Sequence, residues 1–162
     1  MLTYNSLQTG LKDPAIQSRW RVIMPDVQPL LCIAESVEVV FRGVGAKARR
    51  GQAKVKYYPE ESDIDTLNIV FYETADYDVL NYLTTWRGQI RHKNASYGLP
   101  SDYERDIFVQ FLAIDSNDVI KTLKYKGVWP IDPSPISLNY EDPNARIQIS
   151  ASFRVDDVEE EN

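Results

Sequence analysis

Few side chains in this 162-residue chain are of the types that do covalent or metal chemistry. His92 is the single histidine and Cys32 the single cysteine, and one of each cannot build a zinc site. His92 lies in a basic stretch with Arg91 and Lys93 and has no Ser or Cys nucleophile at a recognisable elbow. It reads as a solvated helix-end histidine rather than a general base. Cys32, inside the run Leu30, Leu31, Cys32, Ile33, Ala34, reads as a small buried hydrophobe. It cannot form an internal disulfide, and it implies synthesis in a reducing, cytosolic compartment. Glu60, Glu61, Asp63 and Asp65 gather acid, but a calcium loop needs a longer ordered set of oxygen ligands with a closing Glu, so they read as a solvated turn. Gly43, Gly45 and Lys47 superficially resemble a phosphate loop. The full Gly-x-x-x-x-Gly-Lys-Ser/Thr pattern is absent and no helix pattern follows. No catalytic, cofactor-binding or metal-ligating residue is assigned, no cofactor is expected, and the chain is not expected to be an enzyme.

Charge is more informative. The balance is 18 basic against 24 acidic residues, net −6, the opposite of what a nucleic-acid grip usually shows. Yet six bases and no acid lie between Arg42 and Tyr58: Arg42, Lys47, Arg49, Arg50, Lys54 and Lys56. They can contact phosphates, or face an acidic partner such as residues 156–162 or the Glu60 to Asp65 cluster of a neighbouring copy. The ten tyrosines and three tryptophans are explained better by core and interface packing than by a base-stacking platform, because most fall in or beside strands and the helix.

The elements that must position these groups follow from periodicity. At this length one domain, residues 1–162, buries roughly two thirds of its unfolded surface without a metal or disulfide. There is no signal-peptide pattern, and no apolar window of the ~18 residues needed to span a membrane, so no membrane anchor is expected. Residues 1–15 are polar and read as an extended arm. Residues 19–23 and 30–34, joined by a turn at Asp26 and Pro29, predict an amino-terminal hairpin. Residues 36–41 continue extended, 42–51 predict a mobile loop and 53–58 a strand. Residues 65–73 are a strand covered on both faces. Val79, Leu83, Trp86 and Ile90 make one apolar stripe of a helix over about residues 75–91, capped by Thr74 or Asp76 and ended early by Gly88. Arg87, Arg91, His92 and Lys93 suit its carboxyl end. After a loop over 93–103, strands 106–114 and 119–125 pair antiparallel around Asp115 to Asp118.

The rest of the chain is the most particular. Gly127 permits a close backbone approach. Pro130, Pro133 and Pro135 stop any strand or helix, which leaves Trp129 as an apolar anchor at a rigid bend. Residues 136–140 predict a strand. In residues 146–155, Ile147, Ile149, Ala151, Phe153 and Val155 alternate with Arg146, Gln148, Ser150, Ser152 and Arg154, one buried face against one wet face without chemistry. Asp156, Asp157, Glu159, Glu160 and Glu161 make an acidic carboxyl-terminal tail over 156–162.

A strand ending Tyr125-Lys126-Gly127-Val128-Trp129-Pro130, a proline-rich corner, the run Ile136-x-Leu138-x-Tyr140, a turn at Glu141 to Asn144 and the final alternating strand resemble the carboxyl-terminal half of contractile-phage tail tube proteins. With the amino-terminal strands and single central helix, the resemblance covers nearly the whole chain. It implies a tail-tube-like, mainly β fold: an antiparallel β-sandwich or partly open barrel with one α-helix. It implies a structural subunit of a phage tail in a virion, assembled in the host cytoplasm. Hexameric rings would stack into a tube whose lumen conducts viral DNA without specific binding, and the partners would be tail sheath, tape measure and baseplate proteins. The alternatives are a baseplate tube initiator, a type VI secretion-like tube protein and, from another class, a single-stranded nucleic acid binding β-barrel. The candidate lumen-wall residues are Gln148, Ser150 and Ser152, with Arg146 and Arg154 counting against a purely negative lining. Residues 1–15, the basic segment and the acidic tail are candidate contacts between rings.

Overall fold

Alternation of apolar and polar residues decides most of the architecture, as the computed structural model of residues 17–26, 33–131 and 133–162 shows. Among the described residues, nine strands and two helices follow one another. They are β1 (Trp20–Ile23), β2 (Ala34–Glu38), β3 (Val44–Arg50), β4 (Val55–Glu61), β5 (Leu67–Tyr72), α1 (Asp78–Ile90), α2 (Pro100–Tyr103), β6 (Arg105–Leu112), β7 (Val119–Pro130), β8 (Gln148–Arg154) and β9 (Asp157–Glu161). The main sheet runs β1-β6-β7-β8-β5-β2 with every pairing antiparallel, and β9 lies along β7. The two halves meet through the end of β7, where Trp129 and Pro130 pair with Arg154 and Phe153. This is the expected mainly β, antiparallel architecture. The second helix is a four-residue turn inside the stretch expected as a loop.

The inward rows of the strands build one core. Leu67, Ile69 and Phe71 of β5 face Phe153, Ala151 and Ile149 of β8, and Ile107 and Val109 of β6 face Tyr125 and Leu123 of β7. All ten are buried. Val79, Leu83 and Trp86 of α1 close the core. The Trp86 ring lies 5.6 Å from that of Phe153, and its Nε1–H donates to the Tyr103 carbonyl at 2.6 Å, so a large apolar side chain is buried with its one polar group satisfied.

Glu73 organises the start of α1. Its carboxylate accepts from the backbone N–H groups of Val79 at 3.1 Å and Leu80 at 3.0 Å, supplying partners that a helix start otherwise lacks. Thr74 Oγ1 accepts from the Asp78 N–H at 3.2 Å, but the residue at the N-cap position is Tyr77 and not the expected Thr74. Asp76 takes no part in these bonds, and Gly88 does not end the helix, which continues to Ile90.

Several expectations need correction. The amino-terminal hairpin does not form: β1 pairs with β6 and β2 with β5, at opposite ends of the sheet. Short strands gain more by adding to long core strands, as in Val22 beside Val109 and Val37 beside Ile69, than by pairing with each other. Residues 42–51 are not a loop, since most of them form β3, paired with β4 from Val44 opposite Glu61 to Arg50 opposite Val55. Glu60 and Glu61 therefore end a strand and do not lie in a turn. The strand at 119–125 runs on through Gly127 to Pro130.

Gly127 is what allows that extension. Its φ is 61°, and a Cβ there would lie 2.6 Å from Asp156 Cβ. Opposite it, β8 and β9 are separated only by Val155 and Asp156. Pairing with β7 has the same register on both sides of that break, from Pro130 with Phe153 to Thr122 with Glu161. The acidic tail is thus an ordered strand. Conversely, residues 136–140 are not a strand despite their alternation, because no described strand lies beside them. The expected arm over 1–15, Cys32 and the start of the strand at 30–34 lie outside the described residues.

Candidate functional site

Three surfaces remain once the core is accounted for. The first is the outward face of β8, β5 and β2. Ser152 Oγ donates to Asn68 Oδ1 at 2.7 Å, Asn68 Nδ2 donates to Glu38 Oε2 at 3.0 Å, and Gln148 Nε2 donates to Glu35 Oε2 at 2.6 Å. Polar side chains are tied across three strands into a wall whose Ser152 hydroxyl, Glu38 and Glu35 are engaged in these hydrogen bonds. Gln148, Ser150 and Ser152 do share this face, as their spacing requires. Arg154 ends the same row of β8, whereas Arg146 precedes the strand. Asn68, Glu35 and Glu38 were missed in the sequence because a wall residue is defined by its cross-strand neighbour.

The second surface is the β3–β4 hairpin, a two-stranded sheet separate from the main one. Its register puts Val44, Ala46, Ala48, Val55, Tyr57 and Pro59 on one face, with Arg50 and Glu61 at its two ends, and Lys47, Arg49, Lys56, Tyr58 and Glu60 on the other. Val44 is 77% and Tyr57 67% exposed, so the apolar face is uncovered in the single chain. Arg49 and Lys56 stand 5.5 and 5.4 Å from the centre of the Tyr58 ring, the distance of cation–π attraction. That occupies the ring face which a nucleobase would need.

Arg42, the sixth base of this segment, points elsewhere. It donates to the Asp157 carboxylate at 3.1 Å and to the Asp156 carbonyl at 3.3 Å. Lys121 pairs with Glu160 at 2.8 Å, and Lys126 with Glu159. The Glu159 hydrogen bond raises the Lys126 ammonium above its ordinary range. The Val158 N–H, and then Arg42, hold the Asp157 carboxyl below its own. Three acids of the expected free tail are thus engaged within the chain, which removes the simplest acidic partner for a neighbour's bases.

The third surface is residues 133–147, between β7 and β8. Leu138 is 74% exposed and Tyr140 fully so. A cleft of about 600 Å³ lies between its two arms, lined by Leu138, Tyr140, Pro143 and Ile147 among others.

The remaining chemical candidates stay apart. His92 is exposed, in the turn after α1, with its backbone N–H donating to Ser96 O at 2.9 Å. Gly43 to Lys47 leads into a strand, and a strand offers none of the converging N–H groups of a phosphate loop. Among the described residues no three His, Cys, Asp or Glu side chains come together as metal ligands, and no helix is long and apolar enough to cross a membrane.

No protein-family model matches the chain, and no curated protein matches it. Solved structures do. A chain of the PVC extracellular contractile injection system sheath/tube terminator, in its extended state, superposes with a TM-score of 0.71 at 12% identity, covering 94% of this chain and 100% of that one. A chain of the PVC sheath-tube complex gives 0.63 at 13% identity, over 98% and 99%. Hcp1 from Flavobacterium johnsoniae gives 0.51 at 10% identity, over 87% and 93%. The class that this establishes is one of fold: the chain has the tail-tube-like fold found in contractile injection systems and in Hcp1. The expected resemblance to contractile tail tube proteins, related in fold to type VI secretion, is consistent with these neighbours.

Proposed function

We propose that this chain is a structural, non-catalytic subunit of a contractile-phage tail tube. Six copies form a ring, rings stack, and the lumen conducts DNA during ejection. The observation that carries the reading is the fit of 94% of the chain to a tube-terminator assembly component. The sheet itself supports it. β1 and β2 end the strand order, each with a neighbour on one side only among the described residues, and uncovered edges aggregate unless another chain pairs with them. Head-to-tail contacts that close into a ring use such edges up. The subunit would then sit in the tail of a virion, assembled in the host cytoplasm, and meet sheath, tape measure and baseplate proteins.

Conduction asks for a wall to which DNA does not stick. The hydrogen-bonded face of Ser152, Asn68, Glu38, Gln148 and Glu35 is the best candidate lining. Its two carboxylates, Glu38 and Glu35, repel phosphates within about one Debye length, ~8–10 Å, and the chain as a whole carries a net charge of −6. A second reading keeps the fold and changes the machine: a tube, cap or baseplate component of an extracellular injection or type VI system. The names of the similar structures favour it, among them the anti-feeding prophage cap and baseplate.

Negative-stain electron microscopy of the concentrated full chain tests the reading. Long hollow tubes are expected for a tube subunit of either machine, and isolated rings for a cap or baseplate component. A compact single particle at every concentration overturns both. If salt-sensitive binding to single-stranded oligonucleotides then appears in fluorescence anisotropy, the nucleic acid class takes their place.

A further inference from the structure

Two pieces of β-structure are incomplete in the single chain. The β3–β4 hairpin is a sheet of two strands, and an isolated pair is marginal in water until a third strand or another layer covers it. Residues 136–140 have the alternation of a strand and no sheet. Among the described residues, no backbone N–H or C=O of 133–140 takes part in a hydrogen bond. Each lacks what the other has. In the single chain they share no strand pairing, hydrogen bond or ion pair.

Their side chains match. Leu138 and Tyr140, both exposed, lie on one face of the alternating stretch with Ile136, which packs against the chain's own core, and Ser137 and Asn139 lie on the other. Laid along a hairpin edge, Leu138 and Tyr140 continue the uncovered row of Val44, Ala46, Ala48 and Tyr57, while Ser137 and Asn139 continue the wet row. Charge matches too. Glu141 and Asp142, next in the chain, form no ion pair among the described residues, nor do Arg49, Arg50 and Lys54 near the hairpin tip.

We propose that residues 136–140 of one copy add as a third strand to the β3–β4 hairpin of an adjoining copy, with Glu141 and Asp142 set against its bases. The inference rests on the tube reading and names a contact that would hold the tube together. The proline-fixed start of the stretch, with Pro133 and Pro135 limiting the backbone, lowers the ordering cost of such strand addition.

The test uses the full chain and reads pelletable assembly beside electron microscopy, with circular dichroism and thermal unfolding as fold controls. Glu141→Lys with Asp142→Lys, and separately Arg49→Glu with Arg50→Glu, each lower assembly roughly tenfold or more by placing like charges together. All four changes in one chain restore it. Ser137→Pro with Leu138→Pro also abolishes assembly, because successive N–H groups point to opposite sides of a strand and one of the two must face the acceptor. The unfolding midpoint stays at the wild-type value throughout. If the wild type forms tubes and the proline or lysine variants form them equally well, or if the fourfold variant fails to recover, the strand addition is overturned and the tube stands. If the wild type forms no rings or tubes at all, the tube reading falls and this contact falls with it.

Discussion

Gly127 shows how much one missing methyl group can hold. Its left-handed backbone and the 2.6 Å approach of Asp156 Cβ leave no room for a side chain, so Gly127→Ala is expected to destabilise by about 2 kcal/mol or more in urea unfolding. Pairing it with Asp156→Gly removes the collision and keeps the φ strain, so that only part of the loss returns. Tyr125 gives a pH signature. It is fully buried, its hydroxyl donates to Val40 O at 3.0 Å and accepts from Val40 N–H at 3.2 Å, and burial, partly offset by that contact, pushes its pKa up to about 12 from 10.0. Below pH 10 the phenol is neutral folded or unfolded. Between about 10 and about 12 only the unfolded chain ionises it, so stability falls as pH rises across that window. Tyr125→Phe should flatten that part of the curve while costing about 1–3 kcal/mol at neutral pH, because both Val40 groups lose their partner.

At the scale of elements, α1 depends on an acid that lies before it in sequence. Removing the acceptor of two helix N–H groups in Glu73→Ala should lower stability by about 1–2 kcal/mol, with helical circular dichroism lost in step. Nothing near the helix start announces this role, since Thr74 and Asp76 are the usual capping types and Glu73 looks like the last residue of a strand. The strands of the core, by contrast, were legible: the buried row of Ile149, Ala151 and Phe153 follows from alternation, and the pairing of β6 with β7 from the turn at Asp115 to Asp118. Most of the failures were of partnership. β1 and β2 were read as each other's neighbours because they adjoin in sequence. Residues 136–140 were read as a strand because alternation reports a face and not a mate. The carboxyl-terminal acids were read as a tail because Lys121 and Lys126 are remote in sequence. The wall residues Gln148, Ser150 and Ser152 were found, but the Asn68 and Glu38 that fix Ser152 were not, for the same reason.

For the whole molecule, the exposed charges of the hairpin and of the Glu141 turn make assembly an electrostatic matter. Raising salt from physiological strength to about 1 M shortens the screening distance from ~8 to ~3 Å, and turbidity or sedimentation should report less tube at fixed protein concentration. Unchanged assembly would point to contacts made by apolar surface alone. The unbroken register of β8 and β9 along β7 has a mechanical meaning as well. A pull at Glu161 directed along the strand loads the rungs from Thr122 to Pro130 in shear, all together instead of one after another, so β9 forms a tether through which a tensile force reaches the centre of the fold.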